Sequence, residues 1–325
     1  MLKQSADPSR WTPVDQNVRR AYPKIRSLLV WQSGTPRFEA YYNGYDASHL
    51  HDLRSATKSV LSLLLGIAHR RGELPGLDQP VWDDVKDHAP ARPDPAWSEL
   101  TLHELLSMTS GLYWQTGPKL GERYIHRFHR SRNWRNFILR LPVVPERRGA
   151  FMYCSPCSHL LSVLLSKWTG CTALDYASRH LFQPLNIAGV RWEASPEGYS
   201  GGHVGLHMTA EHMLKIGILC LQKGKWEGRA LVSPEWIGLA CSPQCPPFHT
   251  YGRYGYHWWN DESSGIRYSY AHGHGGQQIY VIPDLEAVVA IASDSKVRRY
   301  KNPKVLLEHH ILPALQSTSL RGEGP

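Results

Sequence analysis

Two kinds of apolar pattern succeed one another along the chain. Near the N-terminus, Ser27-Leu-Leu-Val-Trp-Gln32 and Arg37-Phe-Glu-Ala-Tyr-Tyr42 read as two strands, with a turn at Ser33-Gly34-Thr35-Pro36. From Ser55 to Arg71 the chain is apolar on nearly every face after Lys58. That pattern predicts a buried helix, ended by Gly72 and Pro75. Helical signals then dominate. Thr101-Leu-His-Glu104 is a capping box ahead of Leu105 and Leu106. Ser155-Pro156 predicts an N-cap and a proline at the first helical position, before an apolar run that ends at Gly170. Thr209 opens another helix, carrying Met213, Leu214, Ile216 and Leu219 and closed by Gly224. Strand signals return in Gln277-Gln-Ile-Tyr-Val-Ile282 and Glu286-Ala-Val-Val-Ala-Ile-Ala292, which flank a Pro283-Asp284 turn. Lys304 to Leu312 reads as a helix stopped by Pro313.

Strands at both ends with helices between predict an α/β (α+β) fold. Both termini build one antiparallel sheet flanked by helices, and the middle of the chain forms an all-helical domain. The expected divisions are an N-terminal surface arm over residues 1–22, a sheet domain from 23–75 and 200–325, and a helical domain over 76–199.

Composition narrows the class. With 325 residues, 42% hydrophobic and 20% charged, the chain is long enough for a sizeable core. Six cysteines in this length do not make a disulfide scaffold. The polar start, MLKQSADPSRWTPVDQ, has no apolar leader, and the longest apolar stretch, Val60 to Ala68, is too short to span a bilayer. The expectation is a cytoplasmic protein with free thiols and no membrane partner, although a secreted chain shorn of its leader would read alike. The formal net charge of +9 raises the question of nucleic acid. The densest basic run, Arg123 to Arg148, is interleaved with His, Trp and apolar residues and reads as a solvated helical region. Lys296-Val-Arg-Arg-Tyr-Lys301 reads as a loop. No recognition motif accompanies either, so no nucleic-acid partner is expected, while an anionic substrate stays open.

The chemistry concentrates at Leu53-Arg-Ser55-Ala-Thr-Lys58. Serine and lysine three apart share one helix face. A serine at a helix start feels the positive end of the dipole, which favours its alkoxide. A lysine leading into a wholly apolar helix is poorly hydrated, which lowers its pKa and makes a neutral amine base accessible. The plainer alternative is an N-cap serine followed by a surface lysine, but such a lysine would have no evident solvent face.

Ser55-Ala-Thr-Lys58-Ser-Val, then Gly72-Glu-Leu and Leu77-Asp-Gln-Pro-Val81, resembles the nucleophile region of class C β-lactamases and their relatives. Those relatives include D-alanyl-D-alanine carboxypeptidases, family VIII esterases and nylon-oligomer hydrolases. Thr101-Leu-His-Glu-Leu-Leu-Ser-Met-Thr-Ser-Gly-Leu112, Gly205 to Gly217, Gly228 to Trp236 and Tyr254 to Trp259 are similar to further segments of this superfamily, so the likeness covers roughly residues 25–315.

By this resemblance, Met152-Tyr153-Cys-Ser155 stands for the family's Tyr-x-Asn or Tyr-x-Ser element. It implies Tyr153 as a general acid/base in a proton network with Lys58, and Ser155 as a group that hydrogen-bonds substrate or lysine. A phenol beside an ammonium is expected at a lowered pKa. The alternatives are a core aromatic for Tyr153 and a plain cap for Ser155. The third element, Lys-Thr-Gly in β-lactamases, has Ala271-His272-Gly273-His274-Gly275-Gly276-Gln277 as its counterpart. Esterase-like members often carry His at that lysine. A backbone N–H near Gly275 is expected to complete an oxyanion hole with that of Ser55, and His272, if protonated, to restore part of the missing charge. The spacings His272-Gly-His274 and Cys154-x-x-Cys157 also suit metal or redox chemistry, but neither has a further ligand or a second pair marked in the sequence.

The resemblance therefore implies a β-lactamase/transpeptidase-like fold and a serine hydrolase working through an acyl-enzyme, with no metal or organic cofactor. Loss of Lys-Thr-Gly favours a small ester or amide substrate over a β-lactam. A D-amino-acid peptidase, a β-lactamase proper and a catalytically silent binding protein of the same fold are the alternatives. Tyr254, Tyr256, Trp258 and Trp259 are expected to line an apolar cleft or to be core.

Overall fold

The computed structural model describes residues 8–316. A seven-stranded antiparallel sheet is built from both ends of the chain. Its strands are β1 (Ile25–Gln32), β2 (Thr35–Tyr41), β3 (Arg253–Tyr254), β4 (Trp259–Ser263), β5 (Ile266–Gly273), β6 (Gln277–Ile282) and β7 (Ala287–Ser293). The order is β2-β1-β7-β6-β5-β4-β3, so the first hairpin docks on the last strand. The turn of that hairpin is Ser33-Gly34, both left-handed at φ 47° and 81°, which suits the twist of the flanking strands. Thr35 and Pro36 already belong to β2.

The centre of the sheet is buried on both faces, which is why β6 and β7 read as unbroken apolar runs. Alternate residues enter two different cores. Ile279, Val281, Val288 and Ala290 join the helical side of the molecule. Tyr280, Ile282, Val289 and Ile291 face a second core with Val14, Val18, Leu307 and Leu312. The N-terminal segment is thus not a surface arm. Helix α1 (Thr12–Ala21) buries Val14 and Val18, and Trp11 and Tyr22 beside it are buried too. A polar average over residues 1–22 hid this stripe, whose apolar positions are spaced for one helix face. Residues 1–7 of the expected arm lie outside the described residues.

The remaining helices that matter to the site are α2 (Thr57–Arg70), α3 (Leu102–Ser107), α4 (Ile125–His129), α5 (Trp134–Ile138), α6 (Ser155–Thr169) and α7 (Ala210–Leu221). Helix α2 is buried from Thr57 to Ala68, and Gly72 turns left-handed just beyond it. Both bonds of the Thr101–Glu104 capping box are present. Thr209 caps α7 by accepting from the His212 N–H. Two boundaries differ from expectation. Helix α6 begins at Ser155, with Cys154 as its extended cap residue, so Ser155 is in the first turn. Pro313 does not stop the C-terminal helix. A wider π turn at Leu307–Ile311 precedes it, and the break in the regular hydrogen-bond pattern accommodates the missing N–H.

Candidate active site

Ser55 lies in a single 3-10 turn, Arg54–Ala56, that feeds directly into α2. The turn is forced by Arg54, a non-glycine residue at φ 50°. Its N–H donates to Asp52 Oδ1 at 2.9 Å, which holds this unfavourable backbone in place. Ser55 is left partly exposed, whereas Lys58, one turn on, is only 1% exposed. The expected shared face is realised: Lys58 Nζ lies 3.0 Å from Ser55 Oγ.

The second partner of Lys58 was not legible in the sequence. It is the backbone carbonyl of His203, 3.3 Å from Nζ. The loop before His203 presses on α6 so tightly that a Cβ on Gly202 would stand 2.1 Å from the Ser158 carbonyl oxygen. Glycine is required there by contact rather than by φ. The surroundings add little charge. Burial holds the imidazole of His203 well below 6.5, that of His159 at about 4 and that of His257 at about 3, so all three are neutral. Burial likewise lowers the Lys58 amine from 10.5 to about 8, opposed by the negative charge of Glu122.

Glu122 is the residue of this candidate site that sequence reasoning missed. It comes from the irregular segment before α4, where nothing in the spacing marks it. Its Oε2 accepts from Ser155 Oγ at 2.6 Å, and its Oε1 accepts from the Ser155 N–H at 2.7 Å and the Trp114 indole N–H at 2.7 Å. Burial pushes this carboxyl up, while Lys58 and the Ser155 donors pull it down. Ser155 is therefore spoken for by a carboxylate. A buried lysine calls for a compensating negative charge, and that general rule is the only hint the sequence carried.

Tyr153 is buried, and Lys58 Nζ stands 4.8 Å from its ring centroid. Its hydroxyl is within hydrogen-bonding reach of Ser55. The expected lowering of its pKa is not found. Burial, reinforced by Glu122, pushes the phenol well above 10, and the Ser55 contact only partly offsets this. Trp259 stacks on Tyr153 at 6.0 Å and Tyr254 meets it edge-on at 6.1 Å. Tyr254, Tyr256, Trp258 and Trp259 are all core residues, at most 2% exposed, so they support the site from behind rather than lining a cleft.

The third element separates its residues. Strand β5 ends at Gly273 directly beside the nucleophile turn: a Cβ there would stand 2.1 Å from the Leu53 carbonyl oxygen and 3.2 Å from the Ala56 nitrogen. Gly275, at φ 88°, packs instead on the Asp294 carbonyl, and its N–H is within reach of the Tyr300 hydroxyl. His272 points inward, with Nδ1 3.1 Å from Gln278 Nε2, and burial lowers it to about 3. It therefore restores no positive charge. His274 is exposed, with Nε2 2.6 Å from the Val297 carbonyl oxygen. The two imidazoles diverge because the strand ends at Gly273: residues two apart on a continuous strand would share a face, but His274 already belongs to the turn. Among the described residues no group of three His, Cys, Asp or Glu side chains is arranged to hold a metal ion. All six cysteines are free thiols, Cys154 and Cys157 included. No helix among the described residues is long and apolar enough to cross a membrane.

A family model described as β-lactamase matches residues 26–309. The chain belongs to the β-lactamase family. Solved structures agree at the level of fold. A protein of Bacillus anthracis assigned as a candidate 6-aminohexanoate-dimer hydrolase is 16% identical, with 96% of this chain and 84% of that one covered at a TM-score of 0.79. A D-stereospecific amidohydrolase from Streptomyces sp. is 14% identical, over 94% and 99% of the two chains, at 0.72. The octameric penicillin-binding protein homologue from Pyrococcus abyssi is 19% identical, over 95% and 75%, at 0.67. Membership of the β-lactamase family supports serine-hydrolase chemistry of a general kind for this chain.

Proposed function

We propose that this β-lactamase-family chain is a serine hydrolase that cleaves a small ester or amide through an acyl-enzyme on Ser55. The observation that carries the reading is the 3.0 Å contact between Ser55 Oγ and a buried Lys58 amine whose pKa falls to about 8. Such an amine is neutral in a useful fraction near neutral pH and takes the Ser55 proton as Oγ attacks the carbonyl carbon. Glu122 then balances the ammonium that forms. Tyr153, held as a neutral phenol, passes its proton to the departing alcohol or amine and is reprotonated by the Lys58 ammonium, which leaves the amine neutral again for the water step. Ser155 orients Glu122 rather than touching substrate. The Ser55 N–H and the backbone where β5 ends, at Gly273 and His274, are the oxyanion donors, a place slightly earlier in the chain than Gly275. Water then attacks the acyl carbon, releases the acid and returns the hydrogen to Ser55.

An ester or amide is preferred over a β-lactam because neutral His272 replaces the lysine that would grip a substrate carboxylate. The test is intact mass after incubation with a fluorophosphonate and, separately, a penicillin, for the wild type and Ser55→Ala. The expected result is fluorophosphonate labelling of the wild type alone, with a slow or absent penicillin adduct. A stable penicillin adduct would redirect the reading to a peptidase. No adduct with either reagent would sink the mechanism in favour of a silent binding protein.

A further inference from the structure

The basic run of the sequence is largely exposed, as expected of a solvated region, and part of it curves around a concavity. Tyr113, Tyr124, Arg127, Arg130, Arg132 and Arg140 line one pocket of about 890 Å³, formed by α4, α5 and the segments around them. That volume is in the range of small-molecule sites. No Asp or Glu is among the lining residues. Among the described residues the arginines that pair with carboxylates are elsewhere: Arg19, Arg26, Arg54, Arg71, Arg148, Arg191 and Arg267. Four arginines on one concavity with no Asp or Glu among its lining residues give it a positive field that favours an anion.

Helix α4 and the residue after it divide by face. Phe128 is buried and His129 reaches Nε2 of His203 at 2.8 Å, towards Lys58, while Arg127 and Arg130 turn to the pocket. The site contains none of Ser55, Lys58, Tyr153 or Ser155. It is a separate pocket that shares with the candidate active site only the wall made by Trp114, whose indole N–H holds Glu122.

We propose that this pocket binds a small molecule carrying two or more linked phosphates. Guanidinium groups match phosphate oxygens with paired, charge-assisted hydrogen bonds. Four of them are commensurate with the charge of a triphosphate. Tyr113 and Tyr124, whose rings stand 6.3 Å apart at the rim, offer faces to a planar ring on such a ligand. The ligand is a nucleoside polyphosphate or an inorganic one; both share the chemistry the pocket recognises.

Titration calorimetry at low ionic strength, with inorganic triphosphate, ATP and citrate as separate probes, tests this on the full chain. The expected result is saturable binding of triphosphate that weakens about tenfold for each of Arg127→Gln and Arg130→Gln. The double variant Arg298→Gln/Arg299→Gln removes two exposed charges outside the pocket and is expected to bind as the wild type does. Tighter binding of ATP than of triphosphate assigns the nucleoside arm, and equal binding the inorganic one; either supports the site. Thermal unfolding without ligand checks that each variant is folded. Equal losses in the pocket and control variants, or no saturation, would overturn the proposal by showing only a general charge effect. Citrate binding as tightly as triphosphate would overturn the phosphate assignment. Tighter binding of a single-stranded oligonucleotide, growing with its length, would overturn the small-molecule assignment.

Discussion

In the proposed mechanism the chemistry turns on Lys58 as base and Glu122 as the charge that acts on it. The amine is neutral above about 8 and charged below it. A general base acts only when neutral, so kcat/KM for p-nitrophenyl acetate is expected to fall about tenfold per pH unit below that value and to level off above it. A pH–rate profile of the wild type checks the midpoint. Glu122 holds the lysine pKa up, so removing its charge lowers the amine further. Glu122→Gln is therefore expected to move the ascending limb to lower pH by about one unit. A purely structural role would reduce the rate without moving the midpoint, and the same profile distinguishes the two. The closeness of Ser55 and Lys58 was legible because they lie three residues apart, and Tyr153 was singled out because it stands just ahead of a strong helix. Glu122 was not, because its value lies in a contact with Ser155 across 33 positions of chain.

At the scale of elements, caps and turns were read well where they depend on neighbours in sequence. The Thr101–Glu104 box and the Thr209 cap close within three residues, and both are present. Ser155 was assigned as a cap on the same logic and is not one, because Glu122 captures both its hydroxyl and its N–H. The contacts between elements decided more. The loop before His203 fits against α6 only because Gly202 has no side chain. Gly202→Ala is expected to cost about 2 kcal/mol or more, through overpacking, and to slow Ser55 labelling by displacing the His203 carbonyl from Lys58. Urea unfolding and the labelling rate measure the two effects. An unchanged variant in both would show that the loop is not pressed as described.

At the scale of the whole molecule, helix α1 and the helical segment from Lys304 to Gln316 meet on one face of the sheet, and α1 is part of the core. Trp11 is 4% exposed and stacks on Phe38 at 5.4 Å. Trp11→Ala is expected to lower stability by about 3–5 kcal/mol in a denaturant titration. A loose arm would give a change within about 0.5 kcal/mol. Division of the sheet into two cores follows from the alternation of β6 and β7, which the sequence showed only as continuous apolar runs. A run apolar at every position states that both faces are covered and leaves open what covers them.

The sequence by itself determined what local rules determine: the strands at both ends, the helices between them, the buried helix behind Ser55 and the Ser55–Lys58 spacing. Those depend on periodicity, capping and neighbours within a few residues, and they sufficed for the fold class and for the family likeness. Only the tertiary structure decided the rest. It brought the His203 carbonyl to Lys58 and Glu122 to Ser155, turned His272 inward and His274 outward, and set Gly273 against the Ser55 turn. It also buried Tyr153 deeply enough to reverse the expected direction of its pKa. It gathered four arginines spread over 14 positions of chain, Arg127 to Arg140, around one pocket. Each of these is fixed by burial or by contact between residues distant in the chain, and distances of that kind have no period to be read.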